Sequence, residues 1–210
     1  MKPHRKNRDG VYTIYPTEGR KKRVFCDMRT DGGGWMVIQR RMDGTTDFQN
    51  KKWKDFAEGF GPPDHEYWLG NNAIHDLTKG GKMKLRIDMR RLNGERGVAQ
   101  FPSFVVGSKS DKYRLKIAGF RGSVGIKDSL SAHNGMKFTT KDSDNDRWSS
   151  NCASSYGNGW WFNHCHQRNL NGVYYRKPTS STKGIAWEGW GNKSNWESLK
   201  YSKMMIKPKT

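Results

Sequence analysis

Hydrophobic and polar residues alternate over much of the first half of the chain, which predicts a series of short β-strands. The alternation is clearest from Met83 to Arg90, where apolar side chains at odd positions alternate with charged side chains at even positions. A period of two predicts a half-buried strand with one largely basic face. Further strands are predicted over residues 11–15, 23–27, 35–39, 100–106, 113–117 and 202–207. Because the strands between residues 83 and 117 are close neighbours in the chain, they are expected to form an antiparallel meander.

Two short segments have helical spacing instead. Trp53, Phe56 and Ala57 recur at intervals of three and four residues, which predicts a helix there. Asn71 is expected to cap a second helix, which runs through residues 73–77 and stops at Gly80. Residues 128–198 are rich in Gly, Ser, Asn and Trp and show no regular period. Long irregular loops on a rigid scaffold usually carry function, so this region is the expected binding lobe.

The composition decides between disorder and a folded domain. A hydrophobic content of 33% and a mean hydropathy of −1.01 would by themselves favour disorder. However, the 210 residues include nine Trp, eight Tyr and nine Phe. Each buried ring removes about 150–250 Å² from water, so aromatic residues can build a core where aliphatic residues are few. The sequence therefore predicts an ordered, loop-rich globular chain of one substantial domain or two small ones.

The chain is strongly basic, with 39 Lys and Arg against 20 Asp and Glu and a net charge of +19. Such a field attracts polyanions, and nucleic acid, acidic glycans, anionic bacterial surfaces and anionic lipids are equally compatible with it. The basic residues are scattered, which favours a solvated basic surface. No apolar run approaches the roughly 18–20 residues that span a membrane, and no signal peptide follows Met1. A secreted protein with this sequence would therefore be a mature or trimmed fragment.

Three cysteines leave one without a partner in the chain. A bridge between Cys152 and Cys165 would close a short loop and stabilise the fold by about 3 kcal/mol on the loop-entropy argument. Cys26 would then be either a buried thiol or half of a disulfide whose partner lies upstream of Met1. The second interpretation is favoured, because secreted domains rarely keep an unpaired thiol.

A group of carboxylates precedes Cys152. Asp142, Asp144 and Asp146 alternate in the sequence, and two of them facing one cation, with nearby carbonyls, would suit calcium, which takes about 6–8 oxygen ligands. An EF-hand is excluded, because positions six and twelve counted from Asp142 are Arg147 and Ala153. The spacing alone leaves open the alternative that these aspartates form turns or cap helices and are solvated singly.

Other candidate chemistry is weaker. Adjacent side chains in His164–Cys165–His166 point to opposite faces of an extended segment, which disfavours a zinc site. No nucleophile elbow is present. Most aromatic residues between Tyr156 and Tyr175 are expected in the core, and one or two could line a small apolar pocket. Asn192 begins an N-glycosylation pattern, which matters only in a secreted protein.

Several ordered motifs together resemble one known family. They are GVYTI at Gly10–Ile14, CDM at Cys26–Met28, DGGGW at Asp31–Trp35, EYWLG at Glu66–Gly70, FTTKD at Phe138–Asp142, Asn145–Asp146, NCA at Asn151–Ala153, Trp160–Trp161, and NLNGVY at Asn169–Tyr174. From about Gly10 to the end, the chain resembles the fibrinogen-like (fibrinogen C-terminal) domain found in ficolins, tachylectins, tenascins, angiopoietins and fibrinogen. In character it is closest to the ficolin- and tachylectin-type lectins.

The resemblance implies an α+β fold with a central antiparallel sheet, a few short helices and a loop-rich, calcium-binding C-terminal lobe. Residues 1–9 would be a flexible basic leader and residues 10–210 one fibrinogen-like domain. Within it, residues 10–34 would form an N-terminal subdomain, residues 35–127 with 199–207 the central sheet subdomain, and residues 128–198 the lobe that binds calcium and ligand.

The resemblance also assigns site residues. It implies a disulfide between Cys152 and Cys165, and a partner for Cys26 upstream. The calcium ligands would be the carboxylates of Asp144 and Asp146 with the carbonyls of Trp148 and Ser150, and Asp142 would lie behind them. In lectin members the ligand pocket lies beside this loop, and its residues here would be Tyr156, Trp160, His164, Cys165 and His166. The His164–Cys165 peptide is typically cis in such members and turns the Cys165 N–H toward the ligand.

The function implied is non-catalytic, calcium-dependent recognition of N-acetylated or anionic glycans on microbial or host surfaces, as in innate-immune pattern recognition. Several members place a Tyr near residues 180–183, and this chain has none there, so basic residues around the pocket would favour acidic sugars. The protein would be secreted, bind no nucleic acid, have no membrane span and oligomerise through an upstream region. The alternative is an extracellular-matrix or receptor-binding module of tenascin or angiopoietin type, with a protein partner.

Overall fold

A computed structural model of the chain describes residues 8–165, 168–190 and 197–209. Its strands are β1 (Gly10–Thr17), β2 (Arg20–Asp27), β3 (Trp35–Arg41), β4 (Tyr67–Trp68), β5 (Met83–Arg90), β6 (Arg96–Phe101), β7 (Ser103–Val106), β8 (Leu115–Ala118), β9 (Arg121–Gly122), β10 (Arg168–Asn169), β11 (Ala186–Trp187) and β12 (Tyr201–Pro208). Its α-helices are α1 (Trp53–Glu58), α2 (Asn71–Thr78) and α3 (Cys152–Tyr156), and short 3₁₀ turns cover Thr30–Gly32 and Ser131–His133.

One antiparallel sheet of eight strands organises the fold. Seven of its strands follow the order β1-β2-β3-β12-β5-β6-β9, and β4 pairs with the free part of β3. The last strand of the chain, β12, therefore lies in the middle of the sheet, between β3 and β5. This architecture confirms the predicted central antiparallel sheet with a few short helices.

Strand β5 confirms the predicted alternation. Leu85, Ile87 and Met89 are buried, whereas the charged residues at the even positions are only half-buried. Its neighbour β12 keeps the same register along its whole length, from Tyr201 opposite Arg90 to Pro208 opposite Met83.

The predicted meander is wrong after β6. Strand β6 ends at Phe101, and Ser103 begins a separate hairpin in which β7 pairs with β8. The residue between the two strands is Pro102, which has no N–H to donate to a sheet and restricts the residue before it. The predicted strand over residues 100–106 is therefore two strands in two sheets.

Helix α2 begins one residue earlier than predicted. Gly70 occupies the N-cap position with φ 105°, and Asn71 is the first helical residue instead of the cap. A Cβ on Gly70 would lie 2.6 Å from the Glu58 carbonyl carbon and 2.8 Å from the Gly59 nitrogen. Glycine is therefore required here twice, by the backbone angle and by the close approach to the end of α1.

Aromatic residues join the sheet region to the C-terminal lobe. The Phe138 ring lies 6.0 Å from Trp68 and 5.2 Å from Trp161, between centroids, and all three side chains are buried. The Trp161 indole N–H donates to the carbonyl of Tyr113 over 2.7 Å. These contacts fix the lobe on the rigid part of the molecule, as the aromatic composition predicts.

The lobe has little regular structure, in line with its sequence. In the described part of residues 128–198, the elements are one 3₁₀ turn, the five-residue helix α3 and the two-residue strands β10 and β11. Residues 1–7 of the predicted leader lie outside the described residues, whereas the Asp9 carboxylate accepts the Met28 N–H over 2.8 Å. None of the described helices is long and apolar enough to cross a bilayer.

Candidate functional site

The first of the three alternating aspartates has a structural role. Oδ1 of Asp142 accepts the Trp53 N–H at the start of α1 over 2.9 Å, and the Thr140 hydroxyl over 2.8 Å. Burial opposes ionisation of Asp142, but these hydrogen bonds outweigh it and lower its pKa. Asp142 therefore fastens the loop to α1, and its expected place behind the calcium ligands stays a prediction.

Asp144 and Asp146 bring two carboxylates together in the next turn. The Asp146 N–H donates to Oδ1 of Asp144 over 3.3 Å, and Asp146 itself accepts the N–H of Trp148 over 2.9 Å and that of Cys152 over 3.0 Å. Burial raises the pKa of Asp146, and the adjacent Asp144 carboxylate raises it further against the effect of those two donors. Two carboxylates this close favour a proton or a cation between them.

The backbone after Asp146 offers further oxygen ligands. Within the described residues, neither the Trp148 carbonyl nor the Ser150 carbonyl accepts a hydrogen bond. Ser150 is exposed and Trp148 half-buried. The described residues contain no cluster of three or more His, Cys, Asp and Glu side chains that could hold a metal ion. A cation here would therefore need carbonyls and water beside the two carboxylates, and such an all-oxygen set fits calcium.

Two asparagines hold this loop, although the sequence patterns predict no role for either of them. The Asn145 side chain donates to the Phe138 carbonyl over 2.9 Å and so ties the loop to the aromatic core. Asn151 caps α3 by accepting the Ser154 N–H over 2.9 Å, and it also donates to the Thr140 carbonyl over 3.0 Å. The signal in the sequence was the Asn at an N-cap position before a short helix, a preferred residue there.

The predicted disulfide between Cys152 and Cys165 is confirmed, with the two Cα atoms 5.2 Å apart. It connects the first residue of α3 to the segment that ends the aromatic loop. The Arg147 N–H donates to the Asn163 carbonyl over 3.0 Å, so the same two segments are also joined by a backbone hydrogen bond. Asp146, which accepts the Cys152 N–H, is thus one hydrogen bond from the disulfide.

The structure places the predicted aromatic wall differently. Tyr156 is half-buried, and its ring stacks near Phe162 at a centroid distance of 6.2 Å and an interplanar angle of 27°. Trp160 is completely buried, and its ring packs against Trp161 at 5.2 Å. Trp160 therefore belongs to the core of the lobe, because its hydrophobic side chain has no exposed surface left for a ligand. This corrects its predicted role as a pocket wall.

His164 and Cys165 lie beside the loop that holds Asp144 and Asp146, and Cys165 is half-buried. The His164 side chain is exposed, and its ring lies 6.3 Å from that of Trp148. The Cys165 N–H donates to no acceptor within the described residues. The peptide between the two residues is trans, since the described residues include no cis peptide bond. The expectation of a cis bond is therefore wrong for this structure.

Three other predictions concern single residues. His166, expected in the pocket, and Asn192, the glycosylation candidate, both lie outside the described residues. Cys26 is buried in β2 opposite Gly10 and has no disulfide partner in the described part of the chain. Burial raises the pKa of its thiol.

The family model for the fibrinogen beta and gamma chains, C-terminal globular domain, matches residues 3–209. This chain therefore belongs to the fibrinogen C-terminal domain family, and the resemblance read from its motifs is confirmed. Human angiopoietin-4 is 44% identical over 202 residues, which make up 95% of this chain and 39% of angiopoietin-4. Ryncolin-4 from Cerberus rynchops is 43% identical over 202 residues, 95% of this chain and 57% of that protein. The chain thus spans well under two thirds of these relatives.

Solved structures agree with this assignment. The fibrinogen-like globe domain of human ANGPTL2 superposes with a TM-score of 0.90 at 39% identity, covering 97% of this chain and 94% of that one. Lamprey fibrin D-dimer, complexed with the peptide ligand Gly-His-Arg-Pro-amide, superposes with a TM-score of 0.85 at 34% identity. That match covers 96% of this chain and 70% of the lamprey chain.

Proposed function

We propose that this chain is a secreted, non-catalytic recognition domain whose C-terminal lobe binds calcium and, beside it, glycans with N-acetyl or acidic groups. The observation that carries the proposal is the pair of carboxylates on Asp144 and Asp146, one exposed and one half-buried, in the loop fastened to the disulfide. Burial raises the pKa of Asp146, and without a cation the repulsion between the two carboxylates adds to this effect.

Calcium would act by ordering the loop. Its ligands would be the Asp144 and Asp146 carboxylates with the Trp148 and Ser150 carbonyls, which accept no other hydrogen bond within the described residues. Neutralising the two carboxylates removes their repulsion. Because Asp146 also accepts the Cys152 N–H, the ordering would extend to the disulfide and to the segment it anchors.

The glycan would bind next to that segment. The Cys165 N–H offers a hydrogen-bond donor for an acetyl or carboxylate oxygen, and the exposed His164 ring can flank it. Disulfide formation between Cys152 and Cys165 supports an oxidising, extracellular location. Single sugar sites are expected to be weak, so useful avidity would require several copies of the domain.

A protein partner is the second candidate. It is favoured by the burial of Trp160, which removes the expected aromatic wall of a small-ligand pocket. It is also favoured by the likeness to lamprey fibrin D-dimer, which was solved with a peptide ligand. In this case the same calcium-ordered lobe would contact a peptide segment or a receptor domain.

Thermal unfolding of two matched variants, in calcium and in chelator, tests the calcium site. Asp144→Asn should lose the calcium-dependent part of the stability, which is about 2.7 kcal/mol at a free calcium concentration one hundredfold above Kd. In chelator Asp144→Asn should be no less stable than the parent, because it relieves the repulsion of Asp146. Asp142→Asn should instead lose the same stability in both buffers, since Asp142 bonds to Trp53 and Thr140. Equal losses for Asp144→Asn in both buffers would mean that Asp144 is not a calcium ligand.

A glycan array, read with and without chelator, separates the two ligand classes. Binding to N-acetylated or acidic sugars that chelator abolishes, and that Asp144→Asn also abolishes, supports the glycan proposal. Silence on the array together with calcium-dependent binding to an extracellular protein would replace it with the second candidate.

A further inference from the structure

One face of the central sheet carries cationic side chains at both ends of β5. The alternation in β5 places Lys84, Arg86 and Arg90 on this face, and the register carries it across to Arg96 on β6 and Lys203 on β12. We call this surface, defined by Lys84, Arg86, Arg90, Arg96, Lys203 and Lys207, the basic sheet face. It belongs to the sheet and not to the C-terminal lobe, so it is separate from the loop that holds Asp144 and Asp146.

Two pairs of like charges lie directly opposite each other on the basic sheet face. Arg90 is opposite Arg96 in the β5–β6 ladder, and Lys84 is opposite Lys207 in the β5–β12 ladder. Like charges in directly opposed positions destabilise an antiparallel pair. Their presence at both ends of β5 is an electrostatic cost that a bound polyanion would remove.

The carboxylates on this face neutralise its middle and leave its ends positive. Asp88 lies 2.7 Å from Arg86 and 3.4 Å from Lys203, and Asp27 lies 2.7 Å from Lys203. By contrast, within the described residues neither Arg90 nor Arg96 forms an ion pair. The basic sheet face therefore has unneutralised charge where Arg90 meets Arg96.

Arg90 is also incompletely hydrogen-bonded. Its Nε is buried and donates to no acceptor in the described part of the structure, while its guanidinium carbon lies 5.6 Å from the centre of the Tyr201 ring. A buried donor without an acceptor is uncommon in folded proteins and costs free energy. An anionic oxygen bound beside Tyr201 would accept charge-assisted hydrogen bonds from this guanidinium.

Two surface cavities flank the ends of β5. The first, of about 500 Å³, is lined by the cationic residues Arg86, Arg90, Arg96 and Lys203 and by one carboxylate, that of Asp88. The second, of about 280 Å³, is lined by Lys84, Arg121 and Lys209 around Trp35, and by the single carboxylate of Asp31. Residues 84 and 90 are about 20 Å apart along an extended strand, at roughly 3.3 Å per residue. Two anion sites at this spacing suit one linear chain with repeated negative groups better than a single small anion.

We infer that the basic sheet face binds a linear sulfated or uronate-bearing polysaccharide, whose anionic groups contact the Arg90–Arg96 pair and the Lys84–Lys207 pair. Carboxylate and sulfate oxygens match the guanidinium donors of the arginines. The confirmed disulfide indicates an oxidising compartment, where extracellular polysaccharides are available partners. This binding would be independent of calcium, because its residues are not those of the carboxylate loop.

A nucleic acid fits this face less well. Single strands are held by bases stacked on exposed aromatic rings. Here the ring of Trp35 is only 1% exposed, beneath the ammonium groups of Lys84 and Lys207, each 5.7 Å from it. The Tyr201 ring is half-buried and has the Arg90 guanidinium beside it. The face thus offers cations without free stacking surfaces.

Affinity for a heparin octasaccharide in chelator, measured at fixed salt, tests this inference. The double variant Arg90→Gln/Arg96→Gln should bind about tenfold more weakly, since one charge-assisted hydrogen bond is worth about that factor. Lys54→Gln/Lys116→Gln is the matched control, because it removes two exposed positive charges from α1 and β8. It should lower the affinity less than twofold.

Each contrary outcome would overturn the inference. Equal losses in the two double variants would show attraction to net charge alone, and no loss in either would place the site elsewhere. A single-stranded DNA oligonucleotide of equal charge should bind more weakly than the octasaccharide. If the DNA binds as tightly and with the same dependence on Arg90 and Arg96, the partner is a nucleic acid.

A second measurement uses the unaltered protein and so does not depend on the variants folding. Lysine acetylation, followed by peptide mass spectrometry, should be slowed at Lys84 and Lys207 when the octasaccharide is present. Labelling of Lys54 and Lys116 should not change. Protection of the last two lysines, or none on the basic sheet face, would refute the site.

Discussion

For individual residues, the hydrogen bonds show which side chains hold the fold together and which remain available to ligands. Asp142 and Asp146 are four positions apart in the sequence, yet one fastens the loop to α1 and the other lies against a second carboxylate. The alternating pattern could not distinguish them, because spacing carries no information about a distant partner such as Trp53. Only the resemblance to a family assigned them different roles before the structure did.

Asp27 shows how strongly hydrogen bonds can favour the ionised form of a carboxylate. Burial opposes its ionisation, but hydrogen bonds from Lys203, Thr30 and Arg29 outweigh burial and hold its pKa well below the ordinary value of 3.8. A lowered folded-state pKa gives a stabilisation that is complete above pH 3.8 and is lost as the pH falls through the folded pKa.

Asp27→Asn should therefore lower the free energy of unfolding at pH 7 by about 2 kcal/mol, the usual value for hydrogen bonds to a charged group. The difference from the parent should shrink in acid, below pH 3.8, as the parent's own Asp27 becomes protonated. Urea unfolding at a series of pH values measures both effects. Asp111→Asn is the control, since its pair with Arg114 is exposed and should change stability by less than about 1 kcal/mol. A loss for Asp27→Asn that stays constant into acid would contradict this account.

At the scale of elements, the sequence was most informative where a local pattern decides the outcome. Strand β5 follows from its alternation, and α1 follows from its aromatic spacing. The prediction was wrong where one residue interrupts a pattern, as Pro102 does between β6 and β7. It was also wrong at the start of α2, because Asn71 is a good cap by type while the backbone of a different helix demands Gly70.

The close contact between α1 and α2 predicts the effect of replacing Gly70. Gly70→Ala should destabilise the protein by about 3 kcal/mol or more, since a Cβ would meet the Glu58 backbone at 2.6 Å and φ is 105°. Gly80→Ala is the matched substitution, because Gly80 has no atom within 4 Å of its Cβ position and no positive φ. It should be neutral or slightly stabilising. Thermal unfolding of the two variants measures this difference. Similar melting temperatures would contradict the close approach of Gly70 to the end of α1.

At the scale of the whole molecule, local sequence patterns could not predict the order of the strands in the sheet. Residues 202–207 were predicted as a strand, but nothing in them says that β12 lies between β3 and β5. The partners are more than a hundred residues away in each case, so only packing of the assembled sheet selects them. The disulfide is the opposite case: its two cysteines are 13 residues apart and their pairing was implied before the structure.

The disulfide should couple the stability of the lobe to its affinity for calcium. Cys152→Ser/Cys165→Ser should cost about 3 kcal/mol of unfolding free energy for a loop of this length. It should also weaken calcium binding, because Asp146 accepts the N–H of residue 152. Calorimetric titration with calcium measures the second effect.

Cys26→Ala provides the comparison. It removes a buried thiol from β2 and should lower stability by about 1 kcal/mol, without changing the affinity for calcium. If the double variant binds calcium as tightly as Cys26→Ala does, the disulfide and the carboxylate loop are independent.

The central position of β12 has a consequence for synthesis. A ribosome releases the chain from its amino end, so β3 and β5 emerge long before the strand that belongs between them. Until residue 208 has cleared the exit tunnel, both must present unpaired edges, which attract other extended chains. The nascent protein should therefore depend on chaperones for most of its translation, and prematurely terminated chains should aggregate instead of forming a smaller version of the fold.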